Sequence, residues 1–227
     1  MKRFIKTLAA TMLCVTAPLS AHADFVHTDW LTEGDEKATL HEETGIEWLK
    51  VDNTLGMSID EVLAETGEGA LYDGWRLPTA QEVLGYWEAI FEGSSVLDDP
   101  QGGRYTYSAY TPQAQGWVEF TGLSTSSPIR SYGMGYRLDG QVSFFGISRT
   151  SSSTSYWNGH EAYDEATVNQ YAGVLLVSDG GVTLSSINDP MLNTNNANAP
   201  VNNVGAPLTG VALSMAGFLA LSTRRKR

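Results

Sequence analysis

Gly74-Trp75-Arg76-Leu77-Pro78-Thr79-Ala80-Gln81-Glu82 is the stretch from which the fold can be read. Gly74 admits a tight turn, and Trp75 is large enough to anchor a small core. Arg76 carries a planar fork suited to a carboxylate or to backbone carbonyls. Pro78 keeps Leu77 extended. Thr79 and Glu82 then form a capping box, with Thr79 at the N-cap and Glu82 at N3. Val83, Leu84, Trp87, Ile90 and Phe91 follow at helical spacing, and Gly93 ends the run. The same device stands upstream in Ser58-Ile59-Asp60-Glu61, with Met57 and Val62 placed as a hydrophobic staple. Ile59, Val62 and Leu63 give that helix its apolar face, and Gly67 stops it. Two helices are therefore predicted early in the chain.

Outside these helices the pattern is one of short strands and loops. Strands are predicted over residues 47–51, 117–121, 132–138, 142–147 and 174–178, the last paired with 182–185. Asp139-Gly140 between two apolar runs signals a hairpin, and Asp179-Gly180-Gly181 signals a second. Ser/Thr-rich loops are expected over 124–127 and 150–155. Early helices followed by strands define an α+β class with antiparallel strands, not a βαβ repeat.

The chain has 227 residues and a net charge of −12, but that charge is a mixture. Lys2, Arg3 and Lys6 open the chain, and Arg224, Arg225, Lys226 and Arg227 close it. The stretch between carries seven basic residues against 26 acidic ones, a net −19. Such acidity excludes a nucleic-acid binder, which needs a basic face for phosphates. The basic start, the uncharged apolar residues 8–19 and the small-x-small site Ala21-His22-Ala23 read as a signal peptide over 1–23. Signal peptidase and the secretion machinery are the partners that this implies. Cleavage there removes Cys14, the one cysteine, so no disulfide or CxxC zinc site is expected. Residues 204–222 form an uncharged stretch of 19 residues, which at ~1.5 Å per residue reaches about the thickness of a bilayer core. The closing basic cluster would stay on the cytoplasmic side and leave the preceding domain outside. Residues 187–203 are Asn-rich and read as a spacer. The folded domain is then 24–186, followed by the spacer and by a C-terminal transmembrane helix with its basic tail in 204–227.

Residues 204–227 resemble the PEP-CTERM class of bacterial sorting signals, in which a short Pro-containing motif, a transmembrane stretch and an Arg-rich cluster follow in order. The resemblance implies processing by an exosortase-like enzyme. The short motif departs from the pattern: Ala206-Pro207 stands where Pro-Glu-Pro is expected. A variant sorting signal and a plain tail anchor both fit. In the middle of the chain, Thr44-Gly45-Ile46-Glu47-Trp48-Leu49 paired with Gly74-Trp75-Arg76-Leu77-Pro78-Thr79 resembles the Lcl C-terminal-type domain, a module with a C-type-lectin-like fold. The resemblance implies a strand, a helix, then the second motif leading into a second helix, the order found above from capping alone. Thr44, Gly45, Trp48, Gly74, Trp75, Arg76, Pro78 and Thr79 read as scaffold.

No catalytic signature is present. His41-Glu42-Glu43-Thr44-Gly45 lacks the second histidine of HExxH, and no GxSxG, P-loop or GxGxxG occurs. The many carboxylates would suit weak calcium binding, but there is no EF-hand loop and no Glu-Pro-Asn or Gln-Pro-Asp ligand motif. No cofactor or metal site is expected. The sequence favours a non-catalytic, exported surface or matrix protein, with polysaccharide or another protein as ligand. An envelope hydrolase using an Asp/Glu pair and a purely structural surface component are the alternatives. Tyr156, Trp157, Asn158 and His160, aromatics among polar neighbours, are the candidate binding residues.

Overall fold

A computed structural model describes residues 25–98 and 101–200. In chain order the elements are β1 (Phe25–Thr28), β2 (Ala38–His41), β3 (Ile46–Leu49), α1 (Ile59–Ala64), α2 (Ala80–Ile90), β4 (Gly103–Tyr107), α3 (Pro112–Thr121), β5 (Thr125–Ser126), β6 (Ile129–Tyr136), β7 (Val142–Arg149), β8 (Thr154–Tyr163), β9 (Gly173–Val174), β10 (Leu176–Ser178) and α4 (Leu184–Asn188). The class is α+β, as the capping and turn signals predict.

Two sheets enclose the core. The smaller is antiparallel, in the order β1-β2-β3-β10, and Arg76 adds one further bridge to Val177 at its edge. The larger runs β4-β8-β7-β6-β5, with β9 pairing β6 in parallel. Its β6–β7 hairpin turns at Asp139-Gly140, in full register from Ile129↔Arg149 to Tyr136↔Val142. Helices α2 and α3 pack on the inner face of this sheet. Trp48, Tyr86, Trp87, Phe91, Trp117, Phe145 and Tyr156 form the main buried cluster there. Trp48 stacks on Tyr86 with centroids 4.1 Å apart. A second cluster joins Trp30, Ile59, Val62, Tyr72, Trp75, Met134 and Phe144 around α1. Aromatic side chains bury on the order of 150–250 Å² each, so these rings account for much of the apolar burial.

Both predicted capping boxes are present. Ser58 and Glu61 exchange hydrogen bonds at α1, and Thr79 and Glu82 do so at α2. Gly74 has φ +80°, and a Cβ there would meet Val182 at 2.6 Å, so the turn before Trp75 needs glycine twice over. Gly45 has φ +66°, and its Cβ position lies 2.6 Å from the Asn196 amide nitrogen.

Three predicted segments differ. Residues 117–121 are not a strand but the end of α3. Thr111 caps that helix, Pro112 occupies its first turn, and Ala114, Trp117 and Thr121 are buried along one stripe. The β-prone run Trp-Val-Glu-Phe-Thr yields to that cap and to packing on α2. Residues 182–185 do not return as a hairpin strand; Thr183 caps α4 by accepting from the Ser186 amide. The Asn-rich segment is not a spacer as far as residue 200. A 3-10 turn spans Pro190–Asn193, and Asn193 and Asn196 are buried. It has few apolar groups, but its amides dock instead. Asn193 Nδ2 donates to the Gly45 carbonyl at 2.9 Å, Asn195 Nδ2 to Glu42 O at 2.7 Å, and Asn196 Nδ2 to Asp179 Oδ1 at 2.8 Å.

Among the described residues no helix is long and apolar enough to cross a membrane. The signal-cleavage residues Ala21 and Ala23, and the sorting residues Ala206, Pro207, Arg224, Arg225, Lys226 and Arg227, lie outside the described residues.

Candidate functional site

The motif residues build a clamp. Arg76 Nε and Nη2 donate to both oxygens of Asp179 at 3.0 and 2.9 Å, while Nη1 and Nη2 donate to both oxygens of Glu82 at 2.9 and 2.7 Å. The fork is therefore fully engaged, and one arginine ties the start of α2 to the turn after β10. Hydrogen bonding to Arg76 holds the Asp179 carboxyl below the usual range. Burial opposes ionisation of Glu82, but its bonds from Arg76 and Thr79 prevail and lower it as well. Trp48 and Trp75 are 3% exposed, and Pro78 is buried. Thr44 Oγ1 lies 3.1 Å from His41 Nδ1 and turns the chain into Gly45. In this region the motif side chains are held by contacts within the protein itself.

The four candidate binding residues fall on opposite faces of the large sheet. Tyr156 is fully buried in the main cluster, and Asn158 is 4% exposed on the same inner side. Trp157 points the other way and is half-buried. Simple alternation would send His160 inward with Asn158. The register instead slips between Phe144↔His160 and Phe145↔Asn158, with Gly159 at φ +69° as the extra residue. The bulge returns His160 to the Trp157 face, where the two rings meet edge to face at 5.3 Å.

Around Trp157 the outer face is ordered in two cross-strand rows. One row runs Arg104, Trp157, Gly146, Tyr132 across β4, β8, β7 and β6. Gly146 has no side chain between the two rings, and Tyr132 meets Trp157 at 5.7 Å. The next row runs Thr106, Ser155, Ser148, Arg130. Thr106 and Ser155 hydroxyls are 3.0 Å apart. The rows place aromatic faces beside hydroxyls over three strand spacings, about 14 Å at ~4.8 Å each.

The arginines of this face differ from Arg76. Arg104 lies 4.5 Å over the Trp157 ring, and Arg130 lies 4.2 Å over the exposed ring of Tyr171. Neither forms an ion pair among the described residues. Both charges reach Tyr132: burial pushes its phenol up, and Arg130 and Arg104 pull against that. A stacked guanidinium keeps its in-plane N–H donors free for another partner. The reading from sequence missed Arg104, Arg130, Tyr132 and Tyr171. The alternation Arg104-Tyr105-Thr106-Tyr107 was an available strand signal for the first.

Two hollows complete the surface. One, of about 950 Å³, lies beside α2, and its lining includes His41, Thr44, Ile46, Leu138 and Asn158. The second, about 760 Å³, is lined by Asp60, Tyr136, Tyr163, Asp164 and Glu165. Burial and the bond to Glu165 at 2.5 Å push the Tyr136 phenol up to about 12. No group of three or more His, Cys, Asp or Glu able to hold a metal occurs among the described residues. In comparisons with known proteins, no family model, curated protein or solved structure matches the chain.

Proposed function

We propose that this is a non-catalytic, exported surface or extracellular-matrix protein whose C-type-lectin-like domain binds a glycan on the outer face of its large sheet. The observation that carries the reading is Trp157, half-buried, with the Arg104 guanidinium over its ring and Tyr132 and His160 meeting it edge to face. A sugar presents an apolar ring face and a rim of hydroxyls. An aromatic ring under a guanidinium with N–H donors to spare, in a row beside hydroxyls, offers contacts to both. The carboxylates with shifted ionisation support the non-catalytic reading, because structural contacts use them: Asp35 accepts from the backbone amides of Trp30, Leu31, Thr32 and Lys37. Asp179 and Glu82 are bound to Arg76, and Glu47 is buried against Thr183. Export by the secretion machinery, signal peptidase cleavage after Ala23, and membrane contact through 204–222 complete the proposal, with an exosortase-like enzyme acting on the C-terminal segment.

The full chain, solubilised in detergent and applied to an array of neutral and acidic polysaccharides, tests it. At least one glycan should bind, and Trp157→Ala should weaken that binding about tenfold or more, as expected for loss of a central aromatic anchor. Silence across the array, or full binding by a folded Trp157→Ala variant, would overturn the reading.

A further inference from the structure

Strand β8 bends just beyond Trp157, and more than the sheet holds the bend. Gly159 and Glu161 both take left-handed backbone, at φ +69° and +64°. That conformation is unusual for a non-glycine residue such as Glu161 and persists where the surroundings over-determine it. Here the surroundings are two side chains of the β6–β7 hairpin. The buried Ser143 hydroxyl lies against the carbonyls of both Gly159 and Glu161, 3.1 Å from the first. Arg137 Nη1 also donates to the Gly159 carbonyl, at 3.2 Å. A Cβ at Gly159 would meet Arg137 Cγ at 2.9 Å and Phe145 Cε1 at 3.3 Å, so the bulge needs glycine as well. The carbonyls on either side of His160 are therefore pinned, and the imidazole is fixed on the Trp157 face.

Glu161 then orients the ring. His160 Nδ1 is shut off from solvent and lies 3.6 Å from Glu161 Oε1, yet 30% of the side chain stays exposed. The open part of the ring is thus the edge away from Nδ1. Glu161 Oε2 accepts from the Tyr163 hydroxyl, and Tyr163 packs on Phe144, the cross-strand partner of His160, with centroids 4.4 Å apart. Burial and the bond to Glu161 push the Tyr163 phenol up to about 12, which keeps it a donor. A carboxylate held at this place attracts the imidazole proton to Nδ1, and a neutral imidazole protonated there has its acceptor at Nε2. Arg104, over the same Trp157 ring, supplies donors only. His160 supplies the acceptor that a ligand hydroxyl needs.

We infer that Ser143, Arg137 and Glu161 are positioning residues of the outer face: the first two lock the bulge, and the third presents His160 Nε2 as the acceptor for a hydroxyl on a sugar ring stacked against Trp157. The inference rests on glycan binding at this face. It assigns to His160 the preference for a ring with a hydroxyl next to its stacked side.

The test uses the full chain in detergent, first without ligand and then on the polysaccharide array. Long-range proton–nitrogen correlation of the histidine rings, at about pH 8 and so above the ordinary titration range of imidazole, reads the tautomer. The signal lost in His160→Phe identifies His160, which should be protonated at Nδ1. Glu161→Gln should remove that preference without altering urea unfolding, because Glu161 is exposed. It should also weaken glycan binding about fivefold, the loss expected for one hydrogen bond. His160→Phe should weaken binding by a similar factor, and adding Glu161→Gln to it should cost nothing more, because Glu161 acts through His160. Ser143→Ala should abolish the nuclear Overhauser contacts between His160 and Trp157, with Arg137→Met as the second variant if Ser143→Ala does not fold. A wild-type ring protonated at Nε2 would overturn the inference. So would full binding by a folded His160→Phe chain that still requires Trp157, an outcome that leaves glycan binding itself standing. Silence of the wild-type chain across the whole array would remove both.

Discussion

Arg76 and the pair Arg104 and Arg130 are the same side chain used in two ways. Arg76 is a third exposed and saturates two carboxylates, joining α2 to the turn after β10. Arg104 and Arg130 lie on rings on the outer sheet face, without an ion pair among the described residues. The stretch that contains them has 26 acids for seven bases. Acidic partners are therefore plentiful, and the two arginines are unpaired because of where the sheet holds them. The difference separates scaffold from surface: a group with all its donors used stabilises the fold, and a group with donors to spare is available to a ligand.

The two tryptophans of these regions should give the largest contrast. Trp75→Ala is expected to cost about 3–5 kcal/mol, as for other buried large-to-small changes, because Trp75 is 3% exposed and meets Trp30 edge to face. Trp157→Ala should cost no more than about 1–2 kcal/mol, since its ring is already partly in water. Urea unfolding of both variants checks this, and equal losses would break the comparison. Next comes Arg76→Met, at about 2 kcal/mol once its one-third exposure is allowed for. That change leaves Asp179 and Glu82 without their cation and should also loosen residues 184–200, seen as faster amide exchange there.

Acid titration sharpens the same contrast inside the scaffold. Asp179 and Glu82 have lowered pKa values, so the clamp's contribution is present above the unfolded carboxylate value of about 4 and is lost as pH falls through the lowered values. Glu47 has the opposite sign. Burial raises its pKa despite the hydrogen bond from Thr183, so its contribution is complete below about 4 and is lost as pH rises through the raised value. Glu47→Gln should therefore stabilise the protein near neutral pH, by about 1 kcal/mol, and have little effect in acid. Arg76→Met should flatten the acid limb instead. The smallest stability effects belong to Arg104→Gln, at an exposed position, and the half-buried Arg130→Gln, within about 0.5 kcal/mol as for other surface positions, and on the proposed function both should weaken glycan binding.

The capped helices and the β6–β7 hairpin were legible because their signals are local: Ser58 with Glu61, Thr79 with Glu82, and Asp139-Gly140 between apolar runs. Gly74 was legible as a turn residue and Arg76 as a carboxylate clamp, but the partners of Gly45, Gly74 and Arg76 were not. Asn196 and Asp179 meet them only after more than 100 residues of intervening chain. Segment 117–121 misled because Trp, Val, Phe and Thr favour strands, while the decisive Thr111-Pro112 cap lies six residues upstream. Composition likewise misled at 187–200, since side-chain amides can hold a segment to backbone carbonyls with few apolar contacts of its own. On the outer sheet face Trp157 and His160 were named from the sequence, but their separation from Tyr156 and Asn158 depends on strand alternation and a bulge at Gly159. Arg104 and Arg130 come from β4 and β6, strands that meet this face only through β8 and β7.

The chain contains six tryptophans, and five of them, Trp30, Trp48, Trp75, Trp87 and Trp117, are buried. The indole N–H resonances of the full chain, followed while the strongest array ligand is titrated in, therefore test the outer-face site directly. The Trp157 signal should shift and the other five should stay in place. Shifts at Trp48 or Trp87 beside the α2 hollow, with Trp157 unmoved, would contradict the account.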